Sequence, residues 1–305
     1  MQSGSPAEPT STNSTRNILL AQKLAETVGC AGDNSTVQDD PEDVIQCLKD
    51  VDSDTLIEAS YRLDPLSQLD FVPQQGDKLL PVNPSSAIFE GSFRCRQLLI
   101  GVTKDEGSRM MTAANPEIFG LFGEKDTKIT KTMGKDILRK MFGNLSESVI
   151  EHYLPDDVAE DEYDYVRYQV YTSLGDKAIF CPTVYYAEQS ANKGCGVYYY
   201  AWVHRPSVSP WAPWMGSPHF SEVEFVFGQP LLNPIMYQEM EQELSWLMIK
   251  IWSNFVKTGK PARRWPFYSQ ENPNFILIGP GDIFGIIETA PHGDNCNFYR
   301  QFLEP

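Results

Sequence analysis

The order of apolar and polar positions divides the chain into helical and strand-like stretches. Residues 16–29, RNILLAQKLAETVG, set Ile18, Leu19, Leu20, Leu24 and Val28 at helical spacing. A second helix is expected from Pro41, with Asp40 at the N-cap, and a third from about Thr55 to Tyr61. FVPQQGDKLLP (71–81) is broken by Pro and Gly and reads as loop. QLLIGV (97–102) and GVYYYAWV (196–203) are short continuous apolar runs, the pattern of strands buried on both faces of a parallel sheet. Between them, 132–191 reads as mostly helical. Residues 235–257, IMYQEMEQELSWLMIKIWSNFVK, give the most strongly amphipathic helix, stopped by Gly259 and Pro261. FILIG (275–279) and FGIIET (284–289) are expected strands. Helices alternating with buried strands predict an α/β class with a mostly parallel sheet flanked by helices. No repeat and no linker splits the 305 residues.

Composition narrows the classes of function. With 25 Lys and Arg against 41 Asp and Glu, the net charge is −16, so a broad basic surface for nucleic acid is not expected. No apolar run approaches the 18 residues of a membrane span. The six cysteines form no CxxC pair, which argues against a zinc or redox motif, and no other pattern calls for a metal or cofactor. Three sequons, at Asn13, Asn34 and Asn144, accompany an even cysteine count and point to the secretory pathway. The opening MQSGSPAEPT has neither the basic start nor the apolar stretch of a signal peptide, so these two indications conflict.

Two stretches carry candidate chemistry. LLIGVTKDEGSRMM (98–111) places Glu106 in a Gly-containing loop directly after a buried strand, where open α/β sheets bind ligands. WAPWMGSPHFSEVEFVFG (211–228) places His219 in a Gly/Pro loop between tryptophans and an alternating acidic and apolar run. A loop acid is ordinarily solvated and a single loop histidine ordinarily structural. His152, His204 and His292 have no comparable setting.

Taken together, GVTKDEGS and WMGSPHFSEVEFVFG resemble the acid and histidine segments of the type-B carboxylesterase and cholinesterase family, and the resemblance continues through IWSNFVKTGKP and NCNFYRQFL. It implies the C-terminal portion of an α/β-hydrolase fold, with 1–305 as part of a single domain. It also implies a Ser-acid-His triad in which Glu106 is the acid and His219 the base. Glu222 and Glu224 match further acids that support the histidine. QSGS at the start matches a segment beyond the nucleophile elbow, and no G-x-S-x-G occurs in the chain. The expectation is a chain that lacks the serine and the signal peptide of a longer secreted esterase, and that is inactive alone.

The same resemblance pairs Cys30 with Cys47 and Cys181 with Cys296. Cys95 and Cys195 have no family match, and either a pair or two free thiols would suit them. It implies a small carboxylic ester as substrate and leaves open a homodimer of the complete parent. After EGS, true cholinesterases carry aromatic residues that cradle a quaternary ammonium. Here Arg109 and Met110 stand there, and Ser67 and Leu69 stand where the acyl pocket would be narrowed. These departures favour a general carboxylesterase over an acetylcholinesterase. The competing class is a non-catalytic adhesion or binding protein of the same superfamily, which often lacks the acid or the base.

Overall fold

A computed structural model describes residues 1–7, 14–32, 35–63, 72–279, 286–287 and 292–303. It divides into two compact units, Pro9–Glu90 and Met1–Glu8 with Gly91–Pro305.

In the smaller unit, α1 (Ser14–Thr27), α2 (Pro41–Asp50) and α3 (Ser53–Ser60) match the three helices expected from periodicity, and a short α4 (Pro84–Phe89) was not foreseen. Caps explain the differences. Asp40 precedes Pro41 but makes no side-chain cap bond, whereas Asp52 accepts from the amides of Asp54 and Thr55 and starts α3 two residues early. Asn83 accepts from Ser85 and Ser86, so Asn-Pro opens α4 where apolar periodicity gives no sign.

The larger unit is built on a four-stranded sheet. Its strands are β1 (Leu98–Thr103), β2 (Val197–Trp202), β3 (Phe275–Ile278) and β4 (Ile286–Ile287), in that spatial order. β1 pairs parallel with β2 and β2 with β3, while β4 runs antiparallel to β3. Along the opening segment, Gln2 bridges Gly101 in parallel, and the Ser3 amide donates to the Gly101 carbonyl at 2.9 Å. Part of the opening segment therefore lies along the outer edge of β1.

Between β1 and β2 come α5 (Glu106–Ala114), α6 (Pro116–Phe119), α7 (Lys131–Phe142), α8 (Ser146–Tyr153), α9 (Tyr163–Gly175) and α10 (Cys181–Asn192). A single π-turn over Asp176–Phe180 joins the last two. After β2 follow α11 (Val223–Val226), α12 (Gln229–Leu232), α13 (Glu239–Thr258) and, beyond β4, α14 (Gly293–Leu303).

The apolar run of β2 is buried throughout but still alternates. Val197, Tyr199 and Ala201 join the cluster of Ile100, Val102, Val166, Val170 and Phe180. Tyr198, Tyr200 and Trp202 join Phe225, Leu244, Met248, Ile251 and Ile276 on the opposite face. Helices thus cover both faces, as a parallel sheet requires. Gly101 is fixed by this packing, since a Cβ there would run into the carbonyl and ring of Tyr200. All six cysteines are bonded: Cys30–Cys47, Cys181–Cys296 and Cys95–Cys195. The last pair resolves the alternative left open by the sequence.

Candidate active site

The site forms where β1 ends. Directly after Thr103 the chain turns into α5, and Glu106 is its first residue, 2% exposed. One carboxylate oxygen accepts from the Thr103 amide at 2.7 Å. The other lies 2.7 Å from Nδ1 of His219, which comes from a separate loop 113 residues along. Both oxygens are therefore engaged, and the Glu106 bond holds Nδ1 as the protonated nitrogen. Nε2 has no hydrogen-bond partner among the described residues, and the ring is partly open to solvent.

Two residues of the DEGS run beside Glu106, Asp105 and Ser108, seat the histidine loop. Asp105 accepts from the Ser217 amide at 2.9 Å and from the Tyr171 hydroxyl at 3.1 Å, and its own amide donates to the Ser217 carbonyl. Ser108 donates to the Met215 carbonyl at 2.9 Å. Gly107 packs against Gly175 where α5 crosses α9, and a Cβ on Gly107 would meet the Tyr171 carbonyl and the Gly175 amide nitrogen. Gly216, at φ 63°, lies against the Asp105 carboxylate with no room for a side chain. Phe220, immediately after the histidine, is a non-glycine residue at φ 82° and is exposed.

The electrostatics follow from burial and charge. Burial opposes the charged form of His219, but the Glu106 bond, the Glu106 charge and the Glu222 charge together raise its pKa, while Arg109 pulls the other way. Glu222 is itself raised, first by burial and then by the nearby Glu106 charge. Burial also raises Asp105, against the hydrogen bonds it accepts. Glu222 accepts from the Gln2 amide group at 3.1 Å, and Trp252 donates through Nε1 to the Gln2 carbonyl oxygen at 3.2 Å.

The structure brings Glu106, His219, Glu222 and Arg109 together but sets Glu224 apart. Its carboxylate accepts from the Tyr237 hydroxyl at 2.5 Å, on the side facing Glu241 and His204. Met110 is half-buried and packs against the core under α5. Arg109 is exposed, with its guanidinium carbon 5.3 Å from the centre of the Trp211 ring. Ser67, Leu69, Asn13 and Asn34 lie outside the described residues, and Asn144 is exposed just before α8. Two other histidines also pair with carboxylates: His204 with Glu241 at 2.8 Å and His292 with Asp176 at 2.6 Å. Sequence reasoning passed over Asp105 and Gln2, whose partners are 112 and 220 residues away and leave no local pattern. Among the described residues, no group of three or more His, Cys, Asp or Glu is arranged to hold a metal ion.

A buried acid thus stands on the inner nitrogen of a half-open histidine at the carboxyl end of a parallel strand. Residues 1–298 match the model of the carboxylesterase family. The chain belongs to that family. Its fold is accordingly the α/β-hydrolase fold. It is 32% identical to acetylcholinesterase-1 of Trittame loki, over 100% of this chain and 56% of that protein. It is 28% identical to the acetylcholinesterase of Bungarus fasciatus, over 99% of this chain and 50% of that protein. For the acetylcholinesterase of Leptinotarsa decemlineata the identity is 29%, over 99% of this chain and 48% of that protein. The chain thus spans about half the length of the curated relatives it matches. Among the described residues no helix is long and apolar enough to cross a membrane.

Proposed function

We propose that this chain supplies the acid and base of a serine carboxylic-ester hydrolase whose nucleophile lies outside residues 1–305. The supporting observation is the 2.7 Å bond between buried Glu106 and Nδ1 of His219, with Nε2 unengaged among the described residues. In this reading Nε2 takes the proton of the attacking serine and returns it to the leaving alcohol. Glu106 keeps the ring in the required tautomer and stabilises the imidazolium. Glu222, linked to Gln2, adds negative charge behind the ring and holds no proton-transfer role of its own. Glu224 has a structural role through Tyr237.

The preferred substrate class is a general carboxylic ester and not a choline ester. Arg109 would repel a quaternary ammonium near His219, and Met110 offers no aromatic face. The three disulfides and the exposed sequon at Asn144 support a secreted protein, and a homodimer is the assembly proposed for the complete parent.

The test is complementation. The chain is coexpressed with, or fused to, a segment carrying the Gly-rich loop and a G-x-S-x-G elbow from the native transcript, and p-nitrophenyl and naphthyl ester hydrolysis is measured. The complemented enzyme should turn over butyryl and naphthyl esters better than acetylcholine. His219→Ala and Glu106→Gln should each lower kcat by several orders of magnitude, without additivity in the double variant. Glu222→Gln should cost far less. A folded, complemented protein without turnover would support the binding-protein class instead.

A further inference from the structure

The loop that carries His219 contains two tryptophans, each stacked with an arginine, and the two stacks differ in one respect. Arg167 is buried, with its guanidinium carbon 4.4 Å from the centre of Trp214. It forks between two carboxylates, Asp126 and Asp164, the latter at 2.8 Å. Arg109 lies over Trp211 at 5.3 Å, and Trp211 is backed in turn by Phe122 at 5.1 Å. Its guanidinium has no hydrogen bond and no carboxylate partner among the described residues. A stacked guanidinium loses little mobility on binding and presents a planar fork of donors matched to a carboxylate.

Position adds the second argument. Arg109 lies three residues beyond Glu106 on α5, on the same flank of the helix, and its charge reaches His219. Glu106 is not its partner: the Glu106 carboxylate, 2% exposed, accepts from the Thr103 amide and bonds His219, and makes no ion pair with Arg109. The charge therefore stands beside the half-open ring with its recognition capacity unused. The protein as a whole carries −16, so its long-range field does not favour anions, and selection has to act within about 10 Å of Arg109.

We propose that Arg109, held against Trp211, is a carboxylate-recognition site beside His219. The ligands it takes are organic carboxylates with an apolar or aromatic body that can lie against Trp211 and Phe122. That this ligand is the substrate, an ester bearing a free carboxylate, rests on the hydrolase reading above. The binding itself does not.

The experiment uses the chain as it stands and three probes of one shape: 4-phenylbutanoate, the neutral 4-phenylbutanamide and 3-phenylpropylammonium. Affinity is read by titration calorimetry and by the His219 ring resonance in ¹³C-histidine-labelled protein, assigned by its loss in His219→Ala. The carboxylate should bind at least tenfold tighter than the amide, move the His219 signal and weaken with added salt, while the ammonium binds least. Arg109→Gln should remove the preference, Arg109→Lys should keep only part of it because an ammonium lacks the planar fork, and Arg264→Gln, at another exposed arginine, should leave it unchanged. Circular dichroism confirms that each variant is folded. Equal affinity for the three probes, no carboxylate binding at millimolar concentration, or a preference that survives Arg109→Gln would each overturn the proposal. Ester turnover in the complemented enzyme without carboxylate preference refutes this site alone. Carboxylate binding in a complemented enzyme without turnover refutes the hydrolase reading alone.

Discussion

The charge on His219 reports the state of its whole neighbourhood. Its folded pKa is raised because the Glu106 bond and the charges of Glu106 and Glu222 outweigh the burial that opposes protonation. A histidine that holds its proton more tightly when folded contributes stability that is fully present below its unfolded value, about 6.5, and is lost as pH rises through the folded value. The NMR titration midpoint of His219 should therefore lie above 6.5, and Glu106→Gln should move it down, since burial then acts with less compensation. A midpoint unchanged in Glu106→Gln would show that the 2.7 Å contact carries no energy in solution. Glu106 and His219 were legible in the sequence because each sits in a short, distinctive run. Their supports were not, because the role of Asp105 or Gln2 depends on which distant backbone or side chain the fold delivers to it.

At the scale of elements, two glycines decide where Glu106 stands. Gly107 on α5 and Gly175 at the end of α9 meet with backbone against backbone, and a methyl group on either would run into the other helix. Neither residue has the positive φ that would explain its being glycine, so close packing is the reason. Gly107→Ala should push α5 off α9 and cost about 3 kcal/mol, the upper range for overpacking a close-packed interior. Urea denaturation measures that cost. The same variant should broaden the His219 signal, because Glu106 and Ser108, on either side, hold the histidine and its loop. Hydrophobic patterning located the elements well but not their ends. α13 begins at Glu239 and not at Ile235, because Gln238 and Glu241 form a capping box in which each side chain meets the other's backbone. The mixed apolar run of β2 gave no hint of which tyrosines face which core. That assignment comes from the register against β1 and β3.

At the scale of the molecule, the three disulfides close loops of very different size, and this orders their contributions. Cys30–Cys47 spans 17 residues, while Cys95–Cys195 spans 100 and joins the segments that lead into β1 and β2. In the chain-entropy model a cross-link stabilises by restricting the unfolded chain, so the benefit grows with the logarithm of loop length. That gives about 3 kcal/mol for the first bond and about 5 kcal/mol for the second. Cys95–Cys195 is thus expected to contribute more than Cys30–Cys47. The double variants Cys30→Ala/Cys47→Ala and Cys95→Ala/Cys195→Ala, each with the remaining bonds verified by non-reducing peptide mapping, put this to the test in chemical denaturation. The second should lose more stability than the first when each is followed in the unit that contains it. The β1–β2 pairing it guards can be watched through amide exchange at Ile100, Val102 and Tyr199, where faster exchange is expected before global unfolding. If the Cys95 variant unfolds like the unmodified protein, that bond is not holding the start of the sheet. The register Leu98↔Val197 is then maintained by packing of the two apolar runs alone.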